Sequence, residues 1–179
     1  MSVPVIIISG FLGCGKTSFL RHLLPLCGEA GLRPALIINE VGDVDVDGEL
    51  LADLQAAQSL LVGGCVCCTL QAQLATTVQD VLDRQAGDLI IIECSGLSNP
   101  LDVVGVLSTP MLLSRVAVSH VICLLDARRG PILLKAAELA RAQVATADVL
   151  IFNKADTIAE AERPGVEATV AALAPAAER

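Results

Sequence analysis

The segment Gly10-Phe-Leu-Gly13-Cys14-Gly15-Lys16-Thr17 has the residue types and spacing of a phosphate-binding loop, G-x-x-x-x-G-K-[ST]. An apolar run precedes it and a helical pattern follows, which is the context this motif requires. Glycines let backbone N–H groups surround phosphate oxygens, Lys16 would reach the β- and γ-phosphates, and the Thr17 hydroxyl would hold Mg²⁺. The alternative is an ordinary glycine-rich turn, which the Lys-Thr pair disfavours. We therefore predict nucleotide binding by Gly10, Gly13, Cys14, Gly15, Lys16, Thr17 and Ser18.

A second candidate site is Asn153-Lys154-Ala155-Asp156, which follows an apolar run near the end of the chain. N-K-x-D in this position is similar to the guanine-specificity motif of GTPases. The Asp156 carboxylate can accept hydrogen bonds from guanine N1–H and the exocyclic amine. Adenine offers no such donor pair and would leave the carboxylate unpaired. Lys154 would pack its stem over the base. Together with the phosphate loop, the motif predicts GTP rather than ATP.

A third candidate is the apolar run 89–92, which ends in Glu93 and is followed by Gly96. A carboxylate there could hold Mg²⁺ directly or through water, and the Gly96 N–H could approach the γ-phosphate. The alternative is a strand-end acid without a catalytic role. Residue 97 is leucine, so no adjacent glutamine orients a water. We therefore expect slow hydrolysis with a different water-positioning group.

Three thiols lie within four residues, at Cys65, Cys67 and Cys68, after a pair of glycines. Thiolates are soft ligands that suit Zn²⁺ or Cu(I), and three of them leave a fourth position open for exchange. Two alternatives remain: apolar cysteines buried in a strand-to-helix connection, or a redox-active thiol cluster.

The other sulfur and imidazole groups carry less functional information. Cys27 and Cys123 lie in helix and strand patterns, and we expect both in the core. Cys94 is adjacent to Glu93 in sequence and can be read either way. His22 and His120 are expected to be structural.

The acidic charge of the chain is concentrated in one segment. Twenty acidic and 12 basic residues give a net charge of −8, and residues 34–83 contain no Lys or Arg. This balance disfavours nucleic acids and anionic membranes as partners. The N-terminus lacks a signal-peptide pattern, and we expect a cytoplasmic protein with reduced thiols. The acidic residues of that segment are Glu40, Asp43, Asp45, Asp47, Glu49, Asp53, Asp80 and Asp83.

These residues need a scaffold, and the hydrophobic pattern predicts one. Hydrophobic residues make up 54% of the chain and aromatic residues 2%, which suits aliphatic strands buried on both faces. We predict an α/β fold of the P-loop NTPase type: a three-layer sandwich with a mostly parallel sheet and helices on both faces. The predicted strands are 3–9, 35–38, 59–62, 89–92, 116–125 and 149–152. The predicted helices are 16–27, 71–84, 132–147 and 166–173.

The motifs in their order resemble the CobW branch of the CobW/HypB/UreG family of metal-handling GTPases. The resemblance rests on the phosphate loop, Asn39-Glu40-Val41-Gly42-Asp43 with Asp47, Gly64-Cys-Val-Cys-Cys, Glu93-Cys-Ser-Gly-Leu-Ser-Asn-Pro and Asn153-Lys-Ala-Asp. The Gly-Cys-x-Cys-Cys segment is the mark of this branch.

The resemblance implies a GTPase that carries zinc or cobalt to a client protein, couples metal affinity to GTP or GDP, and can form a nucleotide-dependent homodimer. It implies that Glu40 helps hold the metal, while Asp43 and Asp47 place water or Mg²⁺. Residues 1–179 are expected to form one GTPase domain without the family's usual second domain. The competing hypothesis is a GTP-gated activator module for a metallo- or corrinoid enzyme, with structural cysteines. A third is a thiol redox sensor.

Overall fold

A computed structural model describes residues 2–39, 60–62 and 70–179 of the chain. Six of the segments in it are strands, and all five strand pairs are parallel. Their order in the sheet is β3-β2-β4-β1-β5-β6. The mostly parallel sheet is thus confirmed. The strands are β1 (Val3–Ser9), β2 (Pro34–Asn39), β3 (Leu60–Val62), β4 (Leu89–Cys94), β5 (Val116–Asp126) and β6 (Val149–Asn153).

Helices connect the strands and cover the sheet. They are α1 (Lys16–Glu29), α2 (Leu70–Asp83), α3 (Pro100–Leu107), α4 (Gly130–Ala136), α5 (Glu138–Ala145) and α6 (Arg163–Leu173). Two short 3-10 turns, Ala155–Thr157 and Glu160–Glu162, follow β6. No helix among these described segments has the length and apolar character that crossing a membrane would require.

The core follows from the alternation of side chains along the strands. On one face, aliphatic residues of the central strands pack against α2 and α3; they include Ile7, Ile37, Ile92, Val78 and Val103. On the other face, the alternate strand residues pack against α1; they include Ile8, Ile91, Leu124, Leu20 and Leu24. A third cluster lies where β5 and β6 meet α4, α5 and α6. The predicted three-layer sandwich is therefore correct.

The predicted helix 132–147 is wrong in one respect, because the structure divides this region into α4 and α5. Ala137 separates them in an extended conformation, with φ −122° and ψ 119°. The Arg141 guanidinium donates to the carbonyl of Leu134 at 2.9 Å and to that of Lys135 at 3.4 Å. These carbonyls at the end of α4 thus have partners without a continuous helix.

Helix α3 was not predicted. Asn99 precedes it as the N-cap, and its side-chain oxygen accepts a hydrogen bond from the N–H of Leu101 at 3.1 Å. Pro100 takes the first position of the helix, where its missing N–H has no cost. An Asn-Pro pair was therefore the available sequence signal.

The strand order determines which loops meet. The carboxyl ends of β4, β1, β5 and β6 lie side by side, so the segments after Cys94, Ser9, Asp126 and Asn153 share one edge of the sheet. On the other side of β4, Asn39 at the end of β2 is in register with Cys94. Ligands of open parallel sheets bind at this edge.

Candidate functional site

The loop between β1 and α1 has a backbone that only glycine adopts readily. Gly10 has φ 134° and Gly15 has φ 100°, both in the left-handed region. A Cβ atom on Gly10 would overlap the carbonyl oxygen of Leu124, and one on Gly15 would overlap the side-chain nitrogen of Asn153. The predicted phosphate loop is therefore packed against the ends of both β5 and β6.

Lys16 lies within this loop. Its side chain is buried, and its Nζ atom donates to the Gly10 carbonyl at 3.0 Å. The Lys16 side chain thus spans the loop from the first residue of α1 to Gly10. A phosphate oxygen in the loop would lie near this charge and near the amino end of α1, both of which favour an anion.

Thr17 and Glu93 come together although they are 76 residues apart in sequence. The Thr17 hydroxyl donates to Oε1 of Glu93 at 3.3 Å, and Glu93 is buried at the end of β4. A hydroxyl and a carboxylate are the hard oxygen donors that suit Mg²⁺. The two residues therefore fit the metal ion that accompanies a nucleoside triphosphate, and they would hold it through these oxygen atoms.

Gly96 follows Glu93 and touches the phosphate loop. A Cβ atom at Gly96 would lie 2.6 Å from the backbone nitrogen of Leu12 and 2.8 Å from its Cα atom. Any side chain at this position would push the two loops apart. The approach of the Gly96 N–H to a γ-phosphate stays a prediction.

The Asn153-Lys154 pair also contacts the phosphate loop. The Asn153 side-chain nitrogen donates to the Cys14 carbonyl at 2.8 Å, and Lys154 Nζ donates to the Gly13 carbonyl at 2.7 Å. Lys154 adopts φ 56°, and its own N–H donates to the Asn153 side-chain oxygen at 2.9 Å. Asp156, in the turn that follows, is exposed to solvent. The two motifs predicted separately are thus in direct contact in the structure.

Asp126 was missed by the sequence analysis. It ends β5 and is buried, and its Oδ1 accepts hydrogen bonds from the N–H groups of Arg128 at 3.0 Å and Arg129 at 2.9 Å. Its Oδ2 lies 3.0 Å from Lys154 Nζ. Burial raises the pKa of Asp126, but the hydrogen bonds from Arg129 and Lys154 outweigh it and leave the pKa below its ordinary value. An acid at the end of a strand, as at Glu93, was the available signal.

The four described cysteines are buried. Cys14, Cys27, Cys94 and Cys123 are all at most 6% exposed, so Cys27 and Cys123 lie in the core as expected, and Cys94 joins them there. Burial raises the pKa of all four thiols, and it raises those of Cys94 and Cys123 to about 12. These groups are therefore neutral near pH 7, and neutral thiols are poor metal ligands and poor nucleophiles.

Several predicted residues lie outside the described part of the chain: Glu40, Asp43, Asp47, Cys65, Cys67 and Cys68. Within residues 2–39, 60–62 and 70–179, no group of three or more His, Cys, Asp or Glu side chains is arranged to hold a metal ion. Both histidines are exposed: His22 contacts the Ser18 carbonyl at 2.7 Å, and His120 contacts the Ser119 hydroxyl at 2.8 Å.

Comparison with known protein families assigns the chain to a family. The profile of the family described as CobW/HypB/UreG, nucleotide-binding domain, matches residues 4–179. The chain belongs to the CobW/HypB/UreG family. The resemblance predicted from the motifs is therefore confirmed, and the described nucleotide motifs fall within the matched region.

Curated members of the CobW/HypB/UreG family include clear relatives. The zinc chaperone YjiA of Escherichia coli is 34% identical over 167 residues, which cover 90% of this chain and 52% of that protein. The zinc chaperone CobW of Pseudomonas aeruginosa is 34% identical, with 98% and 55% covered. The zinc-regulated GTPase metalloprotein activator 1 of Schizosaccharomyces pombe is 34% identical, with 94% and 43% covered. The chain thus spans about half the length of these relatives.

Solved structures agree with the CobW/HypB/UreG assignment. The Zn(II)-bound YjiA GTPase from E. coli superposes with a TM-score of 0.66 at 31% identity, covering 96% of this chain and 54% of that one. The signal recognition particle receptor FtsY from Elizabethkingia anophelis shares the fold, with a TM-score of 0.63 at 24% identity, covering 92% of this chain and 54% of that one. Fold and family together identify the chain as a nucleotide-binding domain of the CobW/HypB/UreG family with a P-loop fold.

Proposed function

We propose that this chain is the GTP-binding and GTP-hydrolysing domain of a zinc metallochaperone. The observation that carries the proposal is the meeting of three sequence-distant motifs at one sheet edge, where Lys16, the Thr17–Glu93 pair and Lys154 surround the same loop. The names of the relatives, zinc chaperones and zinc-regulated GTPase activators, support zinc as the cargo.

The nucleotide would bind with its phosphates in the loop 10–17 and its base beside Asn153-Lys154-Ala155-Asp156. Lys154 donates to the Gly13 carbonyl, so the proposed base-binding segment lies directly beside the phosphate-binding segment. Asp156 is exposed and can accept the guanine N1–H and amine hydrogen bonds. This arrangement favours GTP and GDP over adenine nucleotides.

Hydrolysis would depend on Mg²⁺, which neutralises charge on the phosphates when it is bound. Thr17 and Glu93 would hold the ion, and their present hydrogen bond keeps the two oxygen atoms 3.3 Å apart. Leu97 replaces a water-orienting glutamine, so intrinsic hydrolysis should be slow. The chain residues proposed for this step are Lys16, Glu93 and Gly96, with Asp43 and Asp47 placing water.

The experiment for this half of the proposal measures GTP, GDP and ATP binding, with and without Mg²⁺, and single-turnover GTP hydrolysis. Lys16→Ala removes the buried ammonium group and should abolish tight nucleotide binding. Lys135→Ala is the matched control: it also removes a lysine ammonium group, but from the last turn of α4, outside the phosphate loop. Equal affinity for GTP and ATP, or binding that Lys16→Ala leaves unchanged, would refute the assignment.

The metal would bind at Cys65, Cys67 and Cys68, with help from Glu40. The other four thiols are buried and have raised pKa values, so they are poor metal ligands. This contrast supports the choice of Cys65, Cys67 and Cys68. Zn²⁺ is the proposed cargo and Co²⁺ the alternative. GTP binding would favour the metal-holding state and hydrolysis would release the ion to a client protein in the cytoplasm, with a nucleotide-dependent homodimer as the proposed assembly.

The metal test must measure affinity and stoichiometry, not only the presence of zinc. A Zn(II)-bound structure exists for a YjiA variant in which one glutamate and two adjacent cysteines are alanine, so bound zinc alone does not locate a site. Competition with a chelating indicator should give tighter Zn²⁺ binding with a non-hydrolysable GTP analogue than with GDP. Replacing Cys65, Cys67 and Cys68 by Ser should remove one site, whereas Cys27→Ser should not. Equal affinity in both nucleotide states would refute the coupling.

A second candidate is a GTP-gated activator of a metalloenzyme, or of a corrinoid enzyme, with structural cysteines. The S. pombe relative, whose name includes metalloprotein activator, favours it. The two candidates differ in the same triple serine variant. A metallochaperone loses metal transfer, while an activator module keeps nucleotide binding and its effect on the client.

A further inference from the structure

Gln143 is a fully buried polar side chain that the nucleotide motifs do not include. It lies on α5, is 1% exposed, and its Nε2 atom donates to the carbonyl of Ser98 at 3.0 Å and to that of Gly96 at 3.3 Å. Both partners belong to the loop after β4, which joins Glu93 to α3. A helix between β5 and β6 is thus bonded to the loop that faces the nucleotide phosphates.

The chemistry of the two acceptors leaves one orientation for this amide. Two carbonyl oxygens require two N–H donors, and only the NH₂ end of glutamine supplies both. Inside the fold, each of these bonds replaces a contact with water that burial has removed. An apolar side chain of the same size would leave two backbone carbonyls without this donor.

The loop that Gln143 holds is short and contains a residue with high backbone freedom. Ser98 N–H donates to the Ser95 carbonyl at 3.0 Å, which closes a tight turn with Gly96 inside it. Glycine does not fix its own φ and ψ. The Gln143 amide donates a hydrogen bond to the Gly96 carbonyl. Gly96 also lies against the backbone of Leu12.

We propose that Gln143 is a positioning residue for the γ-phosphate: it holds the Gly96 and Ser98 carbonyls so that the loop after β4 stays against the phosphate loop and favours GTP over GDP. The inference rests on the proposed function and adds a regulatory contact to the same site. Helix α5 leads directly into β6, which ends at Asn153. One chain segment therefore contacts the loop after β4 through Gln143 and the phosphate loop through Asn153 and Lys154.

The test compares nucleotide selectivity in the full chain. Gln143→Met keeps the volume and removes the donors. We expect the ratio of GTP to GDP affinity to fall about tenfold, with single-turnover hydrolysis slower by a similar factor, because two hydrogen bonds to the loop are lost. GDP affinity should change less than about twofold, because GDP has no γ-phosphate to meet the loop.

Val144→Ala is the matched control. Val144 is the neighbouring residue on α5, is 1% exposed and packs in the β5–β6 cluster instead of on the loop. It should lower the stability of the fold without changing the GTP-to-GDP affinity ratio. An equal loss of selectivity in both variants, or unchanged selectivity in Gln143→Met, would overturn the inference.

Gln143→Glu gives a second readout that a purely structural role would not produce. A buried carboxylate facing two carbonyl oxygens is disfavoured, so this group should titrate above the ordinary range of glutamate. Its protonated form can donate one hydrogen bond and its ionised form none. GTP selectivity of the variant, divided by that of the wild-type chain at each pH, should therefore rise as the pH falls; a flat ratio contradicts the proposal.

If the wild-type chain itself shows no GTP binding, the proposed function fails together with this inference, whereas normal wild-type binding with unaffected variants overturns the inference alone.

Discussion

Lys154 Nζ lies 3.0 Å from the Asp126 carboxylate and joins the ends of β6 and β5. The Asp126 side chain is 7% exposed, compared with 41% for Lys154. The same ammonium group donates to the Gly13 carbonyl, so the carboxylate keeps Lys154 directed towards the phosphate loop. Of this pair, Lys154 belongs to the predicted base-binding motif, whereas Asp126 lies outside the nucleotide motifs.

Replacement of Asp126 by Asn should lower the stability of the fold and speed the dissociation of bound nucleotide. The variant keeps the shape but loses the ionic acceptor, and we expect a loss of about 1–3 kcal/mol in the free energy of unfolding, measured by urea denaturation. Nucleotide dissociation should accelerate because Lys154 is less constrained. Asp88→Asn is the control, since the Arg33–Asp88 pair is exposed and should matter much less. Equal destabilisation by the two variants would contradict this role.

The same carboxylate predicts a pH dependence. The pKa of Asp126 is lower in the folded chain than in the unfolded one, so its contribution is present above the ordinary Asp pKa of about 3.9 and is lost as the pH falls through the folded value. The difference in unfolding free energy between wild type and Asp126→Asn should therefore shrink below about pH 4. Urea titrations at several pH values measure this difference. A gap that is constant down to the acid limit would exclude Asp126 as its source.

Asp156→Asn should reduce discrimination for guanine while leaving phosphate binding intact. An amide in place of the carboxylate cannot accept both guanine hydrogen bonds, so GTP affinity should fall by roughly a hundredfold, with ATP affinity little changed. Competition binding with labelled GTP measures both affinities. Glu160→Gln is a suitable control, because Glu160 is also exposed and lies in the next turn. An unchanged preference for GTP would show that this motif does not contact the base.

Thiol labelling tests the burial of the core cysteines. Cys94 and Cys123 have pKa values of about 12 and are at most 1% exposed, so an alkylating reagent at pH 7.5 should label them slowly in the folded chain and rapidly in urea. Peptide mapping by mass spectrometry separates these positions from the other cysteines. Rapid labelling of Cys94 in the folded protein would contradict its position in the core.

The sequence was informative where the local pattern alone determines the structure. The runs that became β1 and β4 are apolar along most of their length, and every residue of β4 is buried, which favours a parallel sheet covered on both faces. The phosphate loop was predictable for a similar reason, since its spacing and its position between strand and helix occur together.

Other features depend on contacts between distant residues. The break at Ala137 accompanies hydrogen bonds from Arg141 to the end of α4, and apolar periodicity alone continues across it. Asp126 gains its role from Lys154, 28 residues later in the chain, and Gln143 from Gly96, which the sequence places far away. Helix α3 is eight residues long and rich in valine, so its propensity is weak and its N-cap was the better signal.

The register between β2 and β4 has a mechanical consequence. Ile38 is opposite Glu93 and Asn39 is opposite Cys94. The strand that supplies the acid beside Thr17 is therefore paired with the residues just before Glu40, the first acidic residue of segment 34–83. A movement of the β4 end therefore reaches Asn39 through one step of the sheet ladder, without a relay of side chains. The backbone of β2 up to Asn39 is thus coupled to the strand end that carries Glu93 by the hydrogen bonds of the sheet.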